Sequence, residues 1–300
     1  MIFAAVASLA LAAEPATPII IDPGHRLIEG VATDGPTIWV SSLIDRQILE
    51  CQKRCRTIAT LPNGLHPFAI AWDSKRQRLW IAADCPPGVP FIKACERGAL
   101  IALDRSGRTR SRISPPAGSF HPGDVSTSGG QVFVSDSQNG AVYRLLPSGK
   151  ALTALVAPGT GKSGQGSVLD RSGKKLIVAD YSQGIASIDL ATGERTLLPR
   201  QDGKPLRGVD GLARCGDTIF GIYNGAAPGR LLTVRMRPGG IEYGELIEDL
   251  ELPDPTQLAF DGKRLLVVSD SGWERAGKGA PRSSGAPILA IPLDKGCKPL

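Results

Sequence analysis

The sequence predicts an all-β fold, a six-bladed β-propeller closed by its N-terminal strand, and three observations support this. A short phrase recurs in six places at intervals of roughly 40 to 55 residues, which is the period of a propeller blade. Each phrase is followed by a tight turn and a β-rich run, so each unit begins with a hairpin. Glycine (36) and proline (24) are abundant among the 300 residues, which leaves little room for long helices.

The recurring phrases are expected to form the innermost strand of each blade. They are EGVATD (29–34), FAIAWD (68–73), GDVSTS (123–128), QGSVLD (165–170), DGLARC (210–215) and TQLAFD (256–261). The second strands follow as TIWVSS (37–42), RLWIAAD (78–84), QVFVSD (131–136), KLIVAD (175–180), TIFGIYN (218–224) and LLVVSD (265–270). Third and fourth strands are visible after most of them. A large β-sandwich also contains many short strands, but it does not predict so regular a period.

The two ends of the chain are expected to meet in the last blade. The sixth unit runs out after PILAIPLD (287–294) without a fourth strand, whereas TPIIID (17–22) precedes the first unit as an orphan strand. Pairing the two closes the ring and leaves few free strand edges, giving a single propeller domain over residues 17–297.

Two loops interrupt the period, residues 85–98 in blade two and residues 271–286 in blade six. Each lies between a second and a third strand, and therefore on the face where the first strands begin. The second loop is polar and glycine-rich, which is typical either of a mobile lid or of a disordered segment.

Residues 1–13, MIFAAVASLALAA, are apolar and small, and Ala10-Leu11-Ala12 fits the small-x-small pattern of a cleavage site. They predict a secretory signal peptide and a periplasmic or secreted protein, although the first positions lack Lys and Arg. An N-terminal buried strand is the alternative.

The six cysteines agree with export, because an even number in an oxidising compartment predicts disulfides. Loop lengths favour the pairs Cys51–Cys55, Cys85–Cys95 and Cys215–Cys297. The alternative, that Cys51 and Cys55 are half of a zinc site, lacks a second Cys or His pair at finger-like spacing.

The formal charge of +6 permits an acidic partner, but the pattern of charges does not favour nucleic acid. The basic run at 105–112 falls at the expected outer edge of blade two without interleaved aromatic residues. The P-loop-like segment 156–163 has valine where the motif requires glycine. No apolar run reaches the roughly 18 residues of a membrane span. We expect a monomer that is not stably inserted in a membrane and acts on a small molecule.

The starts of the innermost strands meet around the propeller axis. Aligning the phrases places a polar or small residue at most of the first ring positions: Glu29, Phe68, Gly123, Gln165, Asp210 and Thr256. The carboxylates of Glu29 and Asp210 and the carboxamide of Gln165 are expected to converge there. Asp124 occupies the second ring position of its blade, one residue further along the strand. Oxygen ligands suit hard divalent cations, so this ring predicts a metal site. The alternative is that these side chains hydrogen-bond to a column of water in the channel.

The same residues carry a family resemblance. The chain resembles the regucalcin/gluconolactonase propellers, whose signature is EG opening the first blade, NG the fourth and DG the fifth. Here these read Glu29-Gly30, Gln165-Gly166 and Asp210-Gly211, as in a divergent bacterial branch. The resemblance implies that Glu29, Gln165 and Asp210 hold a divalent metal, with calcium expected first and zinc or manganese as alternatives. It also implies hydrolysis of a sugar lactone. Gln165 replaces the family's Asn, and Gly123 replaces an Asn that often precedes the acid of blade three.

The predicted function is metal-dependent opening of a lactone or ester of a small sugar-like substrate at the mouth of the channel. The metal would polarise the carbonyl, with Asp124 as general base and Asp210 combining ligation with an acid–base role. The candidate substrate contacts follow or precede strands on the same face: His66, His121, Tyr181, Asn224 and Trp273. The main rival is a non-catalytic propeller that binds a peptide or glycan on its top face. A sugar oxidoreductase with a quinone cofactor has no specific residues in its favour.

Overall fold

In the computed structural model, which describes residues 17–62, 64–115, 117–247, 249–278 and 287–293, the chain forms six four-stranded sheets. Neighbouring strands within each sheet are antiparallel. The first strands of successive blades contact one another in a closed circle, including the contact between the first and last blades. The predicted six-bladed β-propeller is confirmed.

The strands of the first five blades follow one another along the chain from the innermost to the outermost. Blades one and two are β2 (Ile28–Thr33), β3 (Ile38–Ser42), β4 (Gln47–Cys51), β5 (Cys55–Thr60), β6 (His66–Asp73), β7 (Arg78–Asp84), β8 (Ala99–Leu103) and β9 (Thr109–Ile113). Blade three is β10 (Pro122–Ser128), β11 (Gln131–Asp136), β12 (Val142–Leu145) and β13 (Leu152–Val156). Blades four and five are β14 (Gly164–Leu169), β15 (Lys175–Asp180), β16 (Gly184–Asp189), β17 (Arg195–Leu197), β18 (Val209–Cys215), β19 (Thr218–Tyr223), β20 (Arg230–Arg237) and β21 (Gly240–Glu245).

Blade six is completed by the N-terminal strand, as the sequence predicts. Its strands are β22 (Leu258–Phe260), β23 (Arg264–Val268) and β24 (Ile288–Pro292), and β1 (Thr17–Ile19) pairs antiparallel with β24 as the outermost strand. Joining the two ends of the chain in one sheet closes the ring with backbone hydrogen bonds.

Aspartates at the ends of the first strands fix the hairpin turns of several blades. Asp73 Oδ1 accepts hydrogen bonds from the backbone N–H groups of Lys75 and Arg76, each at 3.0 Å. Asp261 Oδ1 accepts the corresponding bonds from Lys263 and Arg264 at 2.9 and 2.7 Å. A carboxylate that satisfies turn amides in this way favours a tight connection, so these acids serve the fold.

Aspartates at the ends of second strands have a related structural role. The carboxylate of Asp136 accepts hydrogen bonds from the backbone N–H groups of His121 and Gln138, both at 2.9 Å. Asp180 accepts them from Lys162 and Ser163 at 2.9 and 3.2 Å. Each of these acids ties the end of a second strand to the segment that enters the blade, which satisfies its buried charge with backbone donors.

The hydrophobic core lies between neighbouring blades. One cluster combines Trp80 and Leu100 of blade two with Val125 and Val134 of blade three, and Phe120 at the entry to blade three is fully buried within it. The side chains on the facing surfaces of neighbouring sheets thus pack on one another between the blades.

Two of the predicted disulfides are confirmed, Cys51–Cys55 and Cys85–Cys95. Cys297, the predicted partner of Cys215, lies outside the described residues, as does the predicted signal peptide at 1–13. The start of the loop 271–286 is ordered as a short helix, α1 (Trp273–Gly277), which the glycine-rich sequence did not indicate. Among the described residues, no helix has the length and apolar character needed to cross a membrane.

Candidate active site

The first strands of five blades break their regular pairing at or beside the ring positions. The register shifts lie between Ile28 and Val31, Pro67 and Ile70, Pro122 and Asp124, Gly164 and Ser167, and Val209 and Leu212. Such bulges redirect side chains out of the ladder. Glu29, Gln165 and Asp210 each lie inside one of these interruptions, so their side chains can turn towards the axis.

The glycines that follow these ring residues allow neighbouring blades to approach closely. A Cβ on Gly166 would lie 2.3 Å from the backbone nitrogen of Leu212 in the next blade. A Cβ on Gly211 would lie 2.7 Å from the backbone oxygen of Thr256. Only glycine leaves room for this contact between backbones, and the contact brings the preceding side chains of adjacent blades together.

A cavity of about 280 Å³ opens where the first strands begin, and we call it the acid cup. Most of the predicted site residues line it: Glu29, Asp124, Gln165, Tyr181, Asp210, Asn224 and Trp273. Ser137, Ser163, Thr256 and Gln257 add polar groups, and Phe68 adds an aromatic ring. The ring geometry therefore gathers side chains that are far apart in the sequence.

Glu29 is held by an indole. Trp273 Nε1 donates a hydrogen bond of 2.6 Å to Glu29 Oε2, and the Thr256 hydroxyl donates to the backbone oxygen of Glu29 at 2.7 Å. Burial raises the pKa of Glu29 well above its usual value, and the charge of Asp210 raises it further against the opposing effect of the Trp273 hydrogen bond. Glu29 is thus positioned by a neutral donor and has no cationic partner among the described residues.

Asp210 is positioned by Asn224 at the end of β19. Asn224 Nδ2 donates to Asp210 Oδ2 and to the backbone oxygen of Pro255, both at 2.9 Å. Because both partners are acceptors, the orientation of the amide is fixed, and Asn224 Oδ1 is left buried without a hydrogen-bond donor in the part of the chain that the structure describes. Burial raises the pKa of Asp210 to about 7, the hydrogen bond from Asn224 acts to lower it, and the charge of Asp254 adds to the rise.

Asp124 is the most enclosed acid of the cup, with 7% of its surface exposed. Burial raises its pKa well above the usual value, and the charge of Asp210 raises it further. Asp124 and Gln257 also line a second cavity of about 230 Å³ that continues down the channel. The Ser126 and Ser167 hydroxyls lie 2.7 Å apart in that cavity, so the channel offers polar groups to water below the cup.

Gln165 and Gly123, two residues that differ from the regucalcin/gluconolactonase pattern, lie close together in space. The Gln165 amide oxygen lies 3.2 Å from the position where a side chain on Gly123 would begin. Gly123 therefore leaves free the space towards which the longer Gln165 extends. A Cβ on Gly123 would also lie 2.7 Å from Ser137 Cβ, so glycine avoids crowding against both Ser137 and Gln165.

The two loops that break the period build an aromatic wall on one side of the cup. The Trp273 ring, at the start of α1, has its centroid 6.2 Å from that of Phe68 and 5.6 Å from that of Phe91 in the loop 85–98. Asp254 Oδ2 fixes the start of α1 by accepting hydrogen bonds from the backbone N–H groups of Gly272 and Trp273 at 3.0 and 2.6 Å. The sequence pattern did not single out Phe91 or Asp254, because neither belongs to a recurring phrase.

The structure does not bring the two predicted histidines to the cup. His66 Nδ1 lies 2.9 Å from the backbone oxygen of Leu43, and His121 Nδ1 lies 3.1 Å from Asp84 Oδ1. Neither ring lines the cavity. Burial raises the pKa of Asp84 to about 6 despite the opposing influence of a Cys85 backbone hydrogen bond and of His121. This geometry gives the His121–Asp84 pair a place in the wall between blades two and three and does not support a substrate contact.

The donor set of the cup fits a hard divalent cation. Glu29, Asp124 and Asp210 are its charged lining residues, and among the described residues no Lys, Arg or His lines it. Burying a carboxylate without a counter-charge lowers the stability of the fold through lost hydration. Asn224 Oδ1 is a further buried oxygen that accepts no hydrogen bond in the described ranges. Glu29, Asp210, Gln165 and Asn224 are thus the oxygens that could hold the ion.

The three carboxylates of the cup do not form a tight cluster of ligand atoms. In the described part of the chain, the trio of acid, His or Cys side chains whose ligand atoms lie within 4.8 Å of one another is Asp84, Cys85 and Cys95. Two of these form a disulfide and cannot act as thiolate ligands. The ligand atoms of Glu29, Asp124 and Asp210 do not all lie within that distance of one another.

The fold and the site define a six-bladed propeller with an oxygen-rich cup at one end of its channel. No protein-family model and no curated protein matches the sequence. Among solved structures, the chain is similar to a gluconolactonase from Xanthomonas campestris, with a TM-score of 0.61 and 16% identity over 95% of this chain and 99% of the other. It is similar to a second structure, a gluconolactonase candidate, with a TM-score of 0.63 and 16% identity over 94% of both chains.

The same architecture also occurs with a different chemistry. The PQQ-bound aldose sugar dehydrogenase of Streptomyces coelicolor matches with a TM-score of 0.66 and 14% identity over 93% of this chain and 98% of the other. At such identities the similarity establishes the propeller fold, and the choice of reaction depends on the residues of the cup.

Proposed function

We propose that the protein is a divalent-metal-dependent hydrolase of the gluconolactonase type, which opens a lactone or ester of a small sugar-like molecule in the acid cup. The observation that carries the proposal is a set of three acids, Asp124 buried and Glu29 and Asp210 half-buried, in a cavity that no described cationic side chain lines. The similarity of the fold to gluconolactonases agrees with this reading.

Glu29, Gln165 and Asp210 are the proposed ligands, and the fixed amide of Asn224 offers a further oxygen beside Asp210. We expect calcium first, because every donor is oxygen and calcium accepts six to eight such ligands, with manganese or zinc as alternatives. When bound there, a divalent cation supplies Lewis-acid activation of a carbonyl group.

Asp124 is the proposed general base. Its carboxylate is buried and lines the cup beside Glu29 and Asp210, so it lies where it could take a proton from a water molecule bound in the cup. As water adds to the carbonyl carbon, Asp124 takes the proton of that water. The ring C–O bond then breaks, and the proton is returned to the departing alkoxide, which yields a hydroxy acid. Asp210, as a ligand, has the less direct acid–base role.

The remaining residues of the cup orient the substrate. Phe68 and Trp273 present ring faces that can pack on the apolar face of a sugar-like ring. Tyr181, whose hydroxyl donates to the backbone oxygen of Asn224 at 3.3 Å, lies on the side of Asp210. The two disulfides agree with an oxidising compartment, and we propose export to the periplasm or outside the cell.

The proposal is tested by hydrolysis of a panel of uncharged lactones, with gluconolactone first, in a pH-stat. We expect turnover to disappear after treatment with a chelator and to return with calcium, manganese or zinc. The Asp210→Asn and Asp124→Asn variants should both be inactive, and only Asp210→Asn should also lose metal, measured by elemental analysis. A folded, metal-loaded protein that turns over none of the panel and retains glycans or peptides on its top face would instead be a binding propeller.

A further inference from the structure

A second cavity lies at the seam between blades four and five, and its chemistry is opposite to that of the acid cup. Its volume is about 350 Å³, which is in the range of small-molecule sites. Three arginines line it, Arg200, Arg207 and Arg230, and the one acid among its described lining residues is Glu245. The proposed hydrolase function uses none of these residues.

One face of blade five forms the body of this cavity. Side chains two apart on a strand share a face, which groups Arg230 with Leu232 on β20 and Tyr243 with Glu245 on β21. Cross-strand pairing places Arg230 opposite Tyr223 and Leu232 opposite Glu245. The buried Leu232 provides an apolar floor, and Tyr223 and Tyr243 add aromatic rings.

The segment that joins blades four and five forms the opposite wall. It contributes Pro205 and the buried Leu206, together with Arg200 and Arg207 at the rim. Arg200 is held in place by its neighbours. Its guanidinium lies 5.5 Å from the centroid of the Tyr243 ring and donates to the tyrosine hydroxyl at 3.2 Å, and it also pairs with Asp202.

The other two arginines of the rim differ in the hydrogen bonds and ion pairs that hold their guanidinium groups. Arg230 donates to the backbone oxygens of Pro228 and Gly229, both at 3.1 Å, and lies 3.6 Å from Glu245. Arg207 is exposed and makes no guanidinium hydrogen bond or ion pair with any described residue. The rim therefore presents one guanidinium, that of Arg207, without a partner in the described ranges, and two oriented ones above an apolar and aromatic floor.

We propose that this arginine cavity binds a small organic anion, namely a carboxylate carried on an apolar or aromatic body. Guanidinium groups match carboxylate oxygens with paired hydrogen bonds. The buried leucines and the tyrosine rings favour a ligand whose remaining part is apolar or aromatic rather than polyhydroxylated. Carboxylates line the acid cup and guanidinium groups line this cavity, so the two cavities differ in the charge of their side chains.

Binding of benzoate to the full-length protein, measured by isothermal titration calorimetry, tests this site. We expect saturable binding with a Kd below about 1 mM. Arg207→Gln should weaken it by about ten-fold or more, the equivalent of one charge-assisted hydrogen bond. The double variant Arg207→Gln/Arg230→Gln should abolish it. Arg171→Gln, which removes an exposed arginine paired with Asp217 elsewhere on the surface, is the matched control and should leave the affinity unchanged.

Three results would overturn the assignment. These are the absence of benzoate binding to the wild-type protein at millimolar concentration, equal binding by wild type and Arg207→Gln, and tighter binding of inorganic phosphate than of benzoate. Arg207→Gln keeps the test decisive even if the Arg230 change disturbs folding, because Arg207 has no structural partner to lose among the described residues. Benzoate binding should also survive Asp210→Asn; loss in that variant would place the anion in the acid cup.

Discussion

Replacing Asp210 by asparagine should stabilise the metal-free protein and at the same time abolish its stabilisation by metal. Burial raises the pKa of Asp210 to about 7, and the nearby charge of Asp254 adds to this rise. The ionised carboxylate therefore lowers the free energy of unfolding of the metal-free protein. Asparagine has the same shape without the charge, and its side-chain oxygen can keep the hydrogen bond from Asn224 Nδ2.

The size of the effect follows from the pKa. A rise from 3.8 to about 7 corresponds to about 4 kcal/mol between protonation states. Asp210 is only half-buried, so we discount this for solvent screening and expect about 2 kcal/mol of stabilisation at pH 8. A raised folded-state pKa lowers the stability of the wild type as pH rises through about 7. The advantage of the variant should therefore shrink as pH falls towards 5.

With bound metal, the wild type should become more stable than the Asp210→Asn variant. For an ion at one hundred times its Kd, the wild type gains about 2.7 kcal/mol. At roughly 2–4 °C per kcal/mol for a domain of this size, that is a rise of about 5–10 °C in Tm. The Asp210→Asn variant should gain little, because it has lost a charged ligand.

The assay is urea unfolding of chelator-treated protein at pH 5 and pH 8, followed by thermal unfolding with added calcium, manganese or zinc. Asp217→Asn is the control; it removes an exposed acid paired with Arg171 and should change stability by less than about 0.5 kcal/mol. A metal-free Asp210→Asn protein less stable than wild type at pH 8, or equal stabilisation of both proteins by metal, would contradict the proposed role of Asp210.

Three further predictions concern the residues that build the cup and its surroundings. Trp273→Phe keeps an aromatic wall but removes the indole donor to Glu29, and should destabilise the metal-free protein by about 1.5–3 kcal/mol in urea unfolding; an unchanged midpoint would contradict this. Gly211→Ala should lower the free energy of unfolding, measured in urea, by about 1–3 kcal/mol, because its methyl group meets the backbone of the next blade. Gly244→Ala, whose methyl group would have nothing within 4 Å, is the matched control and should leave that free energy nearly unchanged. Burial acts to raise the pKa of Asp73, but hydrogen bonds from Arg76 and Trp80 outweigh it and lower the pKa. Asp73→Asn should therefore be destabilising by about 1–3 kcal/mol at pH 7, with a penalty that fades in acid as the wild-type carboxylate is protonated; a penalty independent of pH would count against this account.

Much of the fold could be predicted because its information is local and repeated. The strand phrases and the tight hairpins recur around the ring, with turn aspartates in several blades, and each copy supports the assignment of the others. Closure by β1 was predictable because one unit lacked a strand and the N-terminus supplied a spare one. The gathering of Glu29, Gln165 and Asp210 then followed from the symmetry of the ring.

Other parts of the site depend on contacts that have no periodic signal. The polar, glycine-rich loop after β23 begins with a helix because Asp254 accepts its backbone N–H groups, and this aims Trp273 at Glu29. His66 and His121 stand one or more residues from the bulges, and their rings bond to blade walls instead of the cup. Sequence position alone could not distinguish these orientations.

By itself, the sequence determined the number of blades, the way the ring closes and the acids that reach the axis, because repetition and strand alternation are properties of the chain. Only the tertiary structure decided which acids are satisfied by backbone donors and which remain without a counter-charge. It also showed that Gly123 makes room for Gln165 and that arginines from two elements surround a second cavity. These outcomes depend on distances between side chains that no spacing along the chain encodes.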